Sequence, residues 1–182
     1  MKELKEVEVK ARVSGFEEIK SKLSDLGCVF SESQTQKDRV YLDNAIEFPD
    51  KTVGTLYLRI RNSNGKNIFT LKKQLATEFE CIEKELVIDD PDACDEILKL
   101  MGYHEVLNIS KTRIKCTHKD MKICLDEVDR LGTFVEVEKM TTEDDTEKVK
   151  KELFEFLETL GIKKEDQIFK GYATMLYELD NK

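Results

Sequence analysis

The sequence predicts an α+β fold made of eight β-strands and four α-helices. In eight segments apolar residues alternate with charged or polar ones, which is the pattern of strands that bury one face. In four other segments apolar residues recur every three or four positions, as they do along an amphipathic helix. The chain has 182 residues and 40% hydrophobic content. That is enough for a sizeable core, and a single domain over residues 1–182 is expected.

The first strand is predicted in the segment KEVEVKARV, where every second residue is charged and the residues between them are apolar. The same period of two recurs along the chain, so the strands share one design: an apolar face and a charged face. The other strands are expected around Asp38–Asp43, Leu58–Ile60, Phe69–Leu71, Ile82–Ile88, Thr112–Ile114, Ile123–Leu125 and Val135–Val137.

The first helix is predicted from Ser14 to Gly27, with Ser14 and Glu17 as a capping box and Gly27 as the C-terminal stop. A third helix is expected from about Glu143 to Gly161, and a short fourth one from Tyr172 to Leu179. Their apolar stripes are expected to pack on the apolar faces of the strands.

The second helix carries the strongest start signal in the chain. Asp90 is a good N-cap residue, and Pro91 suits the first helical position because it has no N–H to leave unpaired. We predict that the buried stripe of this helix is Ala93, Ile97 and Leu100 and that the helix ends before Gly102.

Charge and composition narrow the function classes. The net charge of −8 argues against a nucleic-acid binder, which normally needs a basic surface. No apolar run approaches the ~18 residues of a membrane span, so neither a membrane helix nor a signal peptide is expected, and we expect a cytoplasmic protein. The five cysteines form no C-x-x-C pair and the two histidines are far apart, which predicts reduced thiols rather than disulfides or a zinc site.

The charged faces of the predicted strands have two possible uses. On an open sheet they would simply be solvated. On a sheet closed into a barrel they would line one lumen, because alternate residues of every strand point inward. The residues concerned are Glu6, Glu8, Lys10, Arg59, Arg61, Lys72, Lys111, Arg113, Asp126, Glu136 and Glu138.

A lumen with both signs of charge suits one class of ligand in particular. A triphosphate needs cations around its oxygens, and it needs carboxylates to hold the Mg²⁺ or Mn²⁺ that bridges those oxygens. Arginine forks match phosphate oxygens bidentately, and lysine supplies compact charge. The same residues could instead form structural ion pairs inside the barrel.

The segment EVEVK, with Glu6, Glu8 and Lys10, resembles the Glu-x-Glu-x-Lys signature of the CYTH superfamily, the triphosphate tunnel metalloenzymes. This superfamily includes class IV adenylyl cyclases, thiamine triphosphatases and inorganic triphosphatases. Further resemblances follow in the family's order across essentially the whole chain. They are QKD at 36–38, LRIR at 58–61, TLK at 70–72, KTR at 111–113, LDEVDRLGTFVEVE at 125–138 and GYATML near the C-terminus.

The resemblance implies an eight-stranded antiparallel β-barrel, open at both ends, with α-helices packed outside and a charged tunnel inside. It also implies residue roles. The metal ligands would be Glu6, Glu8, Glu136 and Glu138. The substrate-binding cations would be Lys10, Arg59, Arg61, Lys72, Lys111 and Arg113. The catalytic set would be Glu8, Lys10, Asp126 and Glu136, with Asp126 positioning metal or water.

The resemblance leaves several points open. Glu83 and Glu85 match the family, but Cys81 stands where many relatives carry arginine, so the roles of Asp38, Glu83 and Glu85 are not assigned. The expected partner is a small triphosphate such as ATP, thiamine triphosphate or tripolyphosphate, with no nucleic acid and no membrane. A homodimer is compatible with the family.

The reaction is the remaining question. The length and the segment LDEVDRLGTFVEVE are similar to class IV adenylyl cyclases, which convert ATP to cyclic AMP and pyrophosphate. Cyclases of this class carry a His-Phe pair ahead of Glu-x-Glu-x-Lys, and the residues MKELK at that place lack it. We therefore expect a metal-dependent triphosphate hydrolase, with a cyclase as the alternative and a non-catalytic nucleotide-binding or polyphosphate-binding module as the third possibility.

Overall fold

The computed structural model describes residues 4–49, 52–77, 79–142 and 146–181. It confirms the α+β fold: an eight-stranded antiparallel β-barrel with four helices outside. The barrel strands are β1 Lys5–Val13, β2 Gln34–Asp43, β3 Leu56–Ser63, β4 Lys66–Gln74, β5 Glu80–Ile88, β6 Tyr103–His118, β7 Met121–Val128 and β8 Gly132–Thr141. The helices are α1 Glu17–Asp25, α2 Pro91–Leu100, α3 Thr146–Thr159 and α4 Tyr172–Asp180.

The closure of the barrel depends on a short seam between its first and fifth strands. The strands follow the order β5-β4-β3-β2-β6-β7-β8-β1. Among the described residues, β1 pairs with β5 at two positions, Glu6↔Cys81 and Val7↔Glu80. The rest of that edge of β1 is taken by β9, the two-residue strand Gln167–Ile168, opposite Lys10 and Ala11. The open solvated sheet is therefore excluded, and the charged faces enclose a lumen.

The largest hydrophobic core lies outside the barrel, under α1 and α3. The apolar residues of the KEVEVKARV strand point outward into it, and Val7 and Ala11 are fully buried there. Leu23 of α1 and Leu153 of α3 pack against them and are also fully buried. The alternation along the strands thus places apolar side chains under the helices and charged side chains in the lumen, as predicted.

The first helix starts later than predicted, and its proposed capping box is wrong. α1 begins at Glu17, so Phe16 rather than Ser14 takes the N-cap position. Phe16 packs against the core under α1, and this burial outweighs the roughly 1 kcal/mol that a side-chain cap supplies. The helix ends at Asp25, and Gly27 follows with φ +79°, in the conformation that favours glycine.

The cap of α2 is confirmed but its buried stripe is not. The Asp90 side chain accepts hydrogen bonds from the backbone N–H groups of Asp92 and Ala93. Ile97 and Leu100, however, are 55% and 88% exposed, and the helix buries Leu98 and Asp95 instead.

A contact with the barrel wall explains why α2 turns a different face inward from the predicted one. The fully buried Tyr41 needs a partner for its hydroxyl, and this hydroxyl donates to Asp95 Oδ1 at 2.8 Å. Leu98 packs beside it against Leu58 and Ile60. A buried hydroxyl left without a partner would cost about 1–3 kcal/mol, so α2 turns its polar Asp95 inward.

The remaining boundaries differ modestly from the predictions. β2 starts at Gln34 rather than near Asp38, because the residues before Asp38 are polar on both faces and give no alternation. α3 begins at Thr146, and the predicted start at Glu143 lies outside the described residues. Within the part of the chain that the structure describes, no helix combines the length and apolar character needed to cross a membrane.

These packing assignments can be tested by a pair of leucine truncations. Leu153→Ala should lower the free energy of unfolding by roughly 2–5 kcal/mol, because it leaves a cavity in the main core. Leu100→Ala should stay within about 0.5 kcal/mol, because Leu100 is 88% exposed. Urea unfolding of both variants measures this. A loss at Leu100 as large as that at Leu153 would mean that α2 packs by its predicted stripe.

Candidate active site in the barrel lumen

The barrel encloses a cavity of about 490 Å³ that side chains from all eight barrel strands line, together with the start of α4. This size is ordinary for a small-molecule site. Of the residues predicted to face the lumen, all but Asp126 lie on the cavity wall: Glu6, Glu8, Lys10, Arg59, Arg61, Lys72, Lys111, Arg113, Glu136 and Glu138.

Lys10 connects the two strands that carry the four predicted metal ligands. β1 and β8 pair side by side, with Glu8 opposite Glu138 and Lys10 opposite Glu136. The Nζ atom of Lys10 lies 3.2 Å from Glu8 Oε1 and 3.2 Å from Glu136 Oε2. Glu-x-Glu-x-Lys and Glu-x-Glu therefore meet because both strands point alternate residues inward at matching register.

Arg113 is the most heavily engaged cation of the lumen. Its Nη2 donates to Glu136 Oε1 at 2.9 Å, and its Nη1 lies 3.6 Å from Glu138 Oε1. Its Nε donates to Asp126 Oδ1 at 2.6 Å. Burial alone would raise the pKa of Glu136, but Arg113 and Lys10 hold this pKa well below its usual range. Glu136 is therefore a carboxylate at neutral pH.

Asp126 lies behind the cavity wall rather than on it. It is fully buried and takes hydrogen bonds from Arg113, from Lys111 Nζ at 3.3 Å and from the Tyr172 hydroxyl at 2.9 Å. These donors occupy both carboxylate oxygens. Its geometry suits a residue that orients the lumen cations, and it is poorly placed to hold metal or water itself.

Lys111 is buried, and burial together with the neighbouring charge of Arg113 lowers its pKa to about 8. Among the described residues its one carboxylate contact is Asp126, whereas Lys10 contacts two acids. Lys111 is thus a cation with little local compensation, a property that favours the approach of an anion.

Strand β3, which β2 separates from β6, carries two arginines with different surroundings. Arg61 is held by Asp38 through two hydrogen bonds of 2.7 Å, so this pair is bidentate and buried. Arg59 donates through Nη2 to Thr70 and Glu85, both at 3.1 Å. The Nε of Arg59 is buried and has no hydrogen-bond partner among the described residues. Asp38 and Glu85, whose roles the sequence left open, therefore orient the two arginines.

Lys72 bridges the seam where the barrel closes. Its Nζ lies 3.1 Å from Glu6 Oε1 and forms a second ion pair with Glu83. Cys81 is also at this place, with its Sγ 3.7 Å from Glu6 Oε1. Cys81 therefore adds a thiol and no positive charge here.

The acids of the lumen repel one another, and mutual repulsion of this kind is typical of a site that suits a cation. Burial, reinforced by Glu138, Glu83 and Glu8 against the opposing effect of Lys72, raises the pKa of Glu6 to about 7. Burial and the charge of Glu136 also raise the pKa of Glu8. A divalent cation would relieve this repulsion.

Ligand atoms from two groups of side chains converge closely enough to share an ion. Within each group the atoms lie within 4.8 Å of one another. One group is Cys124, Glu136 and Glu138, and the other is Glu6, Cys81 and Glu83. The donor chemistry of carboxylates fits Mg²⁺ or Mn²⁺, which prefer oxygen.

The C-terminal helix covers one end of the barrel. Tyr172 and Leu176 of α4 pack with Val40, Val128 and Phe134, which occupy inward positions near the ends of their strands. The resemblance implied a tunnel open at both ends, whereas this end is filled by an apolar cluster. The ring of Tyr172 also lies 4.1 Å from Lys10 Nζ and 5.0 Å from Lys111 Nζ.

Several residues of the lumen have no role that the sequence predicts. Tyr172 was predicted only as the start of a helix, and the helical stripe gave no sign that its hydroxyl reaches Asp126. Gln36 belonged to the quoted QKD segment but carries no charge, so a charge pattern could not select it. Gln74, Lys115 and Lys122 also line the cavity.

Comparison with known proteins agrees with this geometry. Residues 4–172 match the CYTH domain family. A Methanocaldococcus jannaschii protein described as a putative adenylate cyclase is 29% identical over 175 residues, 93% of this chain and 97% of that protein. A solved Pyrococcus horikoshii structure is 32% identical and has a TM-score of 0.77. The similarity covers 92% of this chain and 97% of that chain.

A more distant solved structure shares the fold. It is a Hippeastrum protein described as a putative adenylyl cyclase with a dominant triphosphatase activity, with 21% identity, a TM-score of 0.62 and coverage of 98% of this chain and 96% of that chain. The family match covers nearly all of the sequence, and the lumen carries the charged residues that the family signature places there. The chain therefore belongs to the CYTH family.

Proposed function

We propose that this protein is a metal-dependent hydrolase of a triphosphate-bearing substrate, such as a nucleoside, thiamine or inorganic triphosphate. One observation carries the proposal: a cavity of about 490 Å³ inside the barrel brings together six cations and four carboxylates of the predicted set. Polar atoms without partners also concentrate on its wall. Arg59 Nε, Gln36 Oε1 and Gln74 Oε1 are buried and lack hydrogen-bond partners among the described residues. Native proteins rarely leave such atoms unpaired, which supports a polar ligand.

The cations would bind the phosphate chain from two strands that flank β2. Lys111 and Arg113 of β6, oriented by Asp126, form one anion-binding pair, and Arg59 and Arg61 of β3 form the other. Each is already desolvated and aimed, so phosphate binding needs little reordering of side chains. Lys10 and Lys72 would complete the set from β1 and β4.

The carboxylates Glu6, Glu8, Glu136 and Glu138 would hold Mg²⁺ or Mn²⁺. When bound, the ion neutralises charge on the phosphate oxygens during displacement. Lys10 contacts both Glu8 and Glu136. In the free protein it would offset part of the repulsion between these two acids.

Hydrolysis is favoured over cyclisation by the chemistry of the lumen wall. Cyclisation requires a site that fixes adenine and presents the ribose 3′-hydroxyl to the α-phosphorus. The lining residues described above bind phosphate and metal, and they provide the environment for attack by water on the terminal phosphorus. The second candidate is an adenylyl cyclase, because the Methanocaldococcus jannaschii relative is described as a putative one.

The two reactions differ in their products. With Mg²⁺ or Mn²⁺, we expect ADP and orthophosphate from ATP, and equal amounts of pyrophosphate and orthophosphate from tripolyphosphate. Product analysis by ion-exchange chromatography measures these products. Cyclic AMP and pyrophosphate from ATP, with tripolyphosphate left intact, would make the protein a cyclase. Ligand-induced thermal stabilisation without turnover of either compound would make it a binding module.

The metal assignment predicts the effect of an isosteric change at Glu136. Glu136→Gln should reduce kcat by at least about 100-fold, because it removes a charged ligand with little change in volume. The matched control is Glu127→Gln on the exposed outer face of β7, which should keep wild-type activity. Steady-state kinetics with Mn²⁺ tests this. Normal metal-dependent turnover in Glu136→Gln would overturn the assignment.

The repulsion among the acids predicts a pH effect on the metal-free protein. The pKa of Glu6 is about 7 in the folded state, raised from 4.5. The stabilising contribution of this group is therefore complete below about pH 4.5 and lost as pH rises through 7. Glu6→Gln should match wild type at pH 4 and unfold at a higher temperature at pH 8. Each 1 kcal/mol corresponds to roughly 2–4 °C at this size.

Thermal unfolding in a chelating buffer at the two pH values measures the difference. Addition of Mn²⁺ at pH 8 should then stabilise wild type more than Glu6→Gln. An equal Tm of the two proteins at pH 8 without metal would show that Lys72 fully compensates Glu6.

A further inference from the structure

Gln36 is a buried residue of the lumen to which neither the charge pattern nor the family signature gives a role. It is 1% exposed and lines the cavity. Its Oε1 has no hydrogen-bond partner among the described residues. Native proteins rarely leave a buried amide oxygen without a partner, so the fold bears a penalty here that a bound molecule would remove.

The surroundings of Gln36 are the anion-binding residues. In the strand register Gln36 stands opposite Lys111 of β6 on one side and Ser63 of β3 on the other. The next inward residue of β2 is Asp38, which holds Arg61. A triphosphate bound by Lys111 and Arg61 would therefore lie against the Gln36 side chain.

Gln36 also faces the metal-binding side from across the lumen. In the closed barrel, β2 is four strands from β1 in either direction around the sheet. Glu8 of β1 and Gln36 are thus on opposite walls, and the phosphate chain would lie between them. Gln36 is consequently placed outside the group of acids proposed to hold the ion.

The chemistry of the amide selects what can bind to it. Oε1 is an acceptor, and at neutral pH a triphosphate chain offers acceptors almost exclusively. A partner for Oε1 must therefore be a donor, and in hydrolysis the water molecule next to the terminal phosphorus can supply one. The Nε2 group of the same amide can donate to a phosphoryl oxygen, which would fix both water and phosphorus with one side chain.

We propose that Gln36 is a positioning residue that orients the attacking water in the hydrolysis of the triphosphate, an inference that rests on the proposed function. The water oxygen forms a bond to the terminal phosphorus, and the bond from that phosphorus to the bridging oxygen breaks. The bridging oxygen leaves with its electron pair on the diphosphate product. One proton of the water stays on the orthophosphate and the other passes to solvent.

The test uses Gln36→Met, which keeps the length of the side chain and removes both polar groups. Because an unsatisfied amide is removed from a buried site, the Tm of the free protein should stay equal or rise. With tripolyphosphate and Mn²⁺, kcat should fall at least tenfold while KM stays within about threefold. The matched control is Gln167→Met on β9, which does not line the cavity and should retain wild-type kinetics.

The outcomes separate this proposal from the proposed function. If wild type does not hydrolyse triphosphates, the proposed function fails before Gln36 is considered. If wild type is active and Gln36→Met keeps the wild-type kcat, only the positioning role is overturned. A lower Tm of the free Gln36→Met protein would make Gln36 a structural residue. Loss of ATP hydrolysis with full tripolyphosphate hydrolysis would instead assign Gln36 to recognition of the nucleoside.

Discussion

The enclosure of charge in a low-dielectric lumen is the constraint on which the rest of this structure depends. Ionised groups cannot be buried without partners, because desolvation costs several kcal/mol for each ion. The barrel meets this constraint by linking its charges: Arg113 contacts Asp126 and Glu136, and Lys10 contacts Glu8 and Glu136. The apolar faces of the same strands then bind α1 and α3. One alternation therefore supplies both the outer core and the inner site.

This pairing also sets a limit on ligand affinity. Each cation that would bind phosphate already has a carboxylate beside it, so binding exchanges one ion pair for another. The net gain is smaller than the number of cations suggests. A divalent ion changes this balance, because carboxylates that bind it release their lysine and arginine partners for phosphate. Metal and triphosphate are therefore expected to bind with positive coupling, each making the other's site available.

Much of the fold and of the lumen could be predicted from sequence because a strand has a strict period of two. The alternation puts Glu6, Glu8 and Lys10 on one face, but it leaves an open sheet and a barrel both possible. The resemblance to the family signature is what predicts a shared lumen. The rotation of α2 could not be predicted, because it depends on the Tyr41 hydroxyl, which is far away in sequence. The buried position of Asp126 likewise depends on Tyr172 of α4. Gln36 carries no charge, and its unpaired oxygen is visible only in three dimensions.

The seam between β1 and β5 gives the barrel an uneven resistance to opening. Adjacent strands elsewhere in the ring are joined by ladders of six to ten residue pairs, whereas this seam has two. Local opening begins at the least stable cooperative unit, so we expect the barrel to open first at the β1–β5 seam. Lys72 links the two strands of this seam, because it contacts Glu6 of β1 and Glu83 of β5. A ligand that contacts Glu6, Lys72 and Glu83 would therefore also hold β1 and β5 together. Without such a ligand, the seam is the line along which the two strands separate most easily.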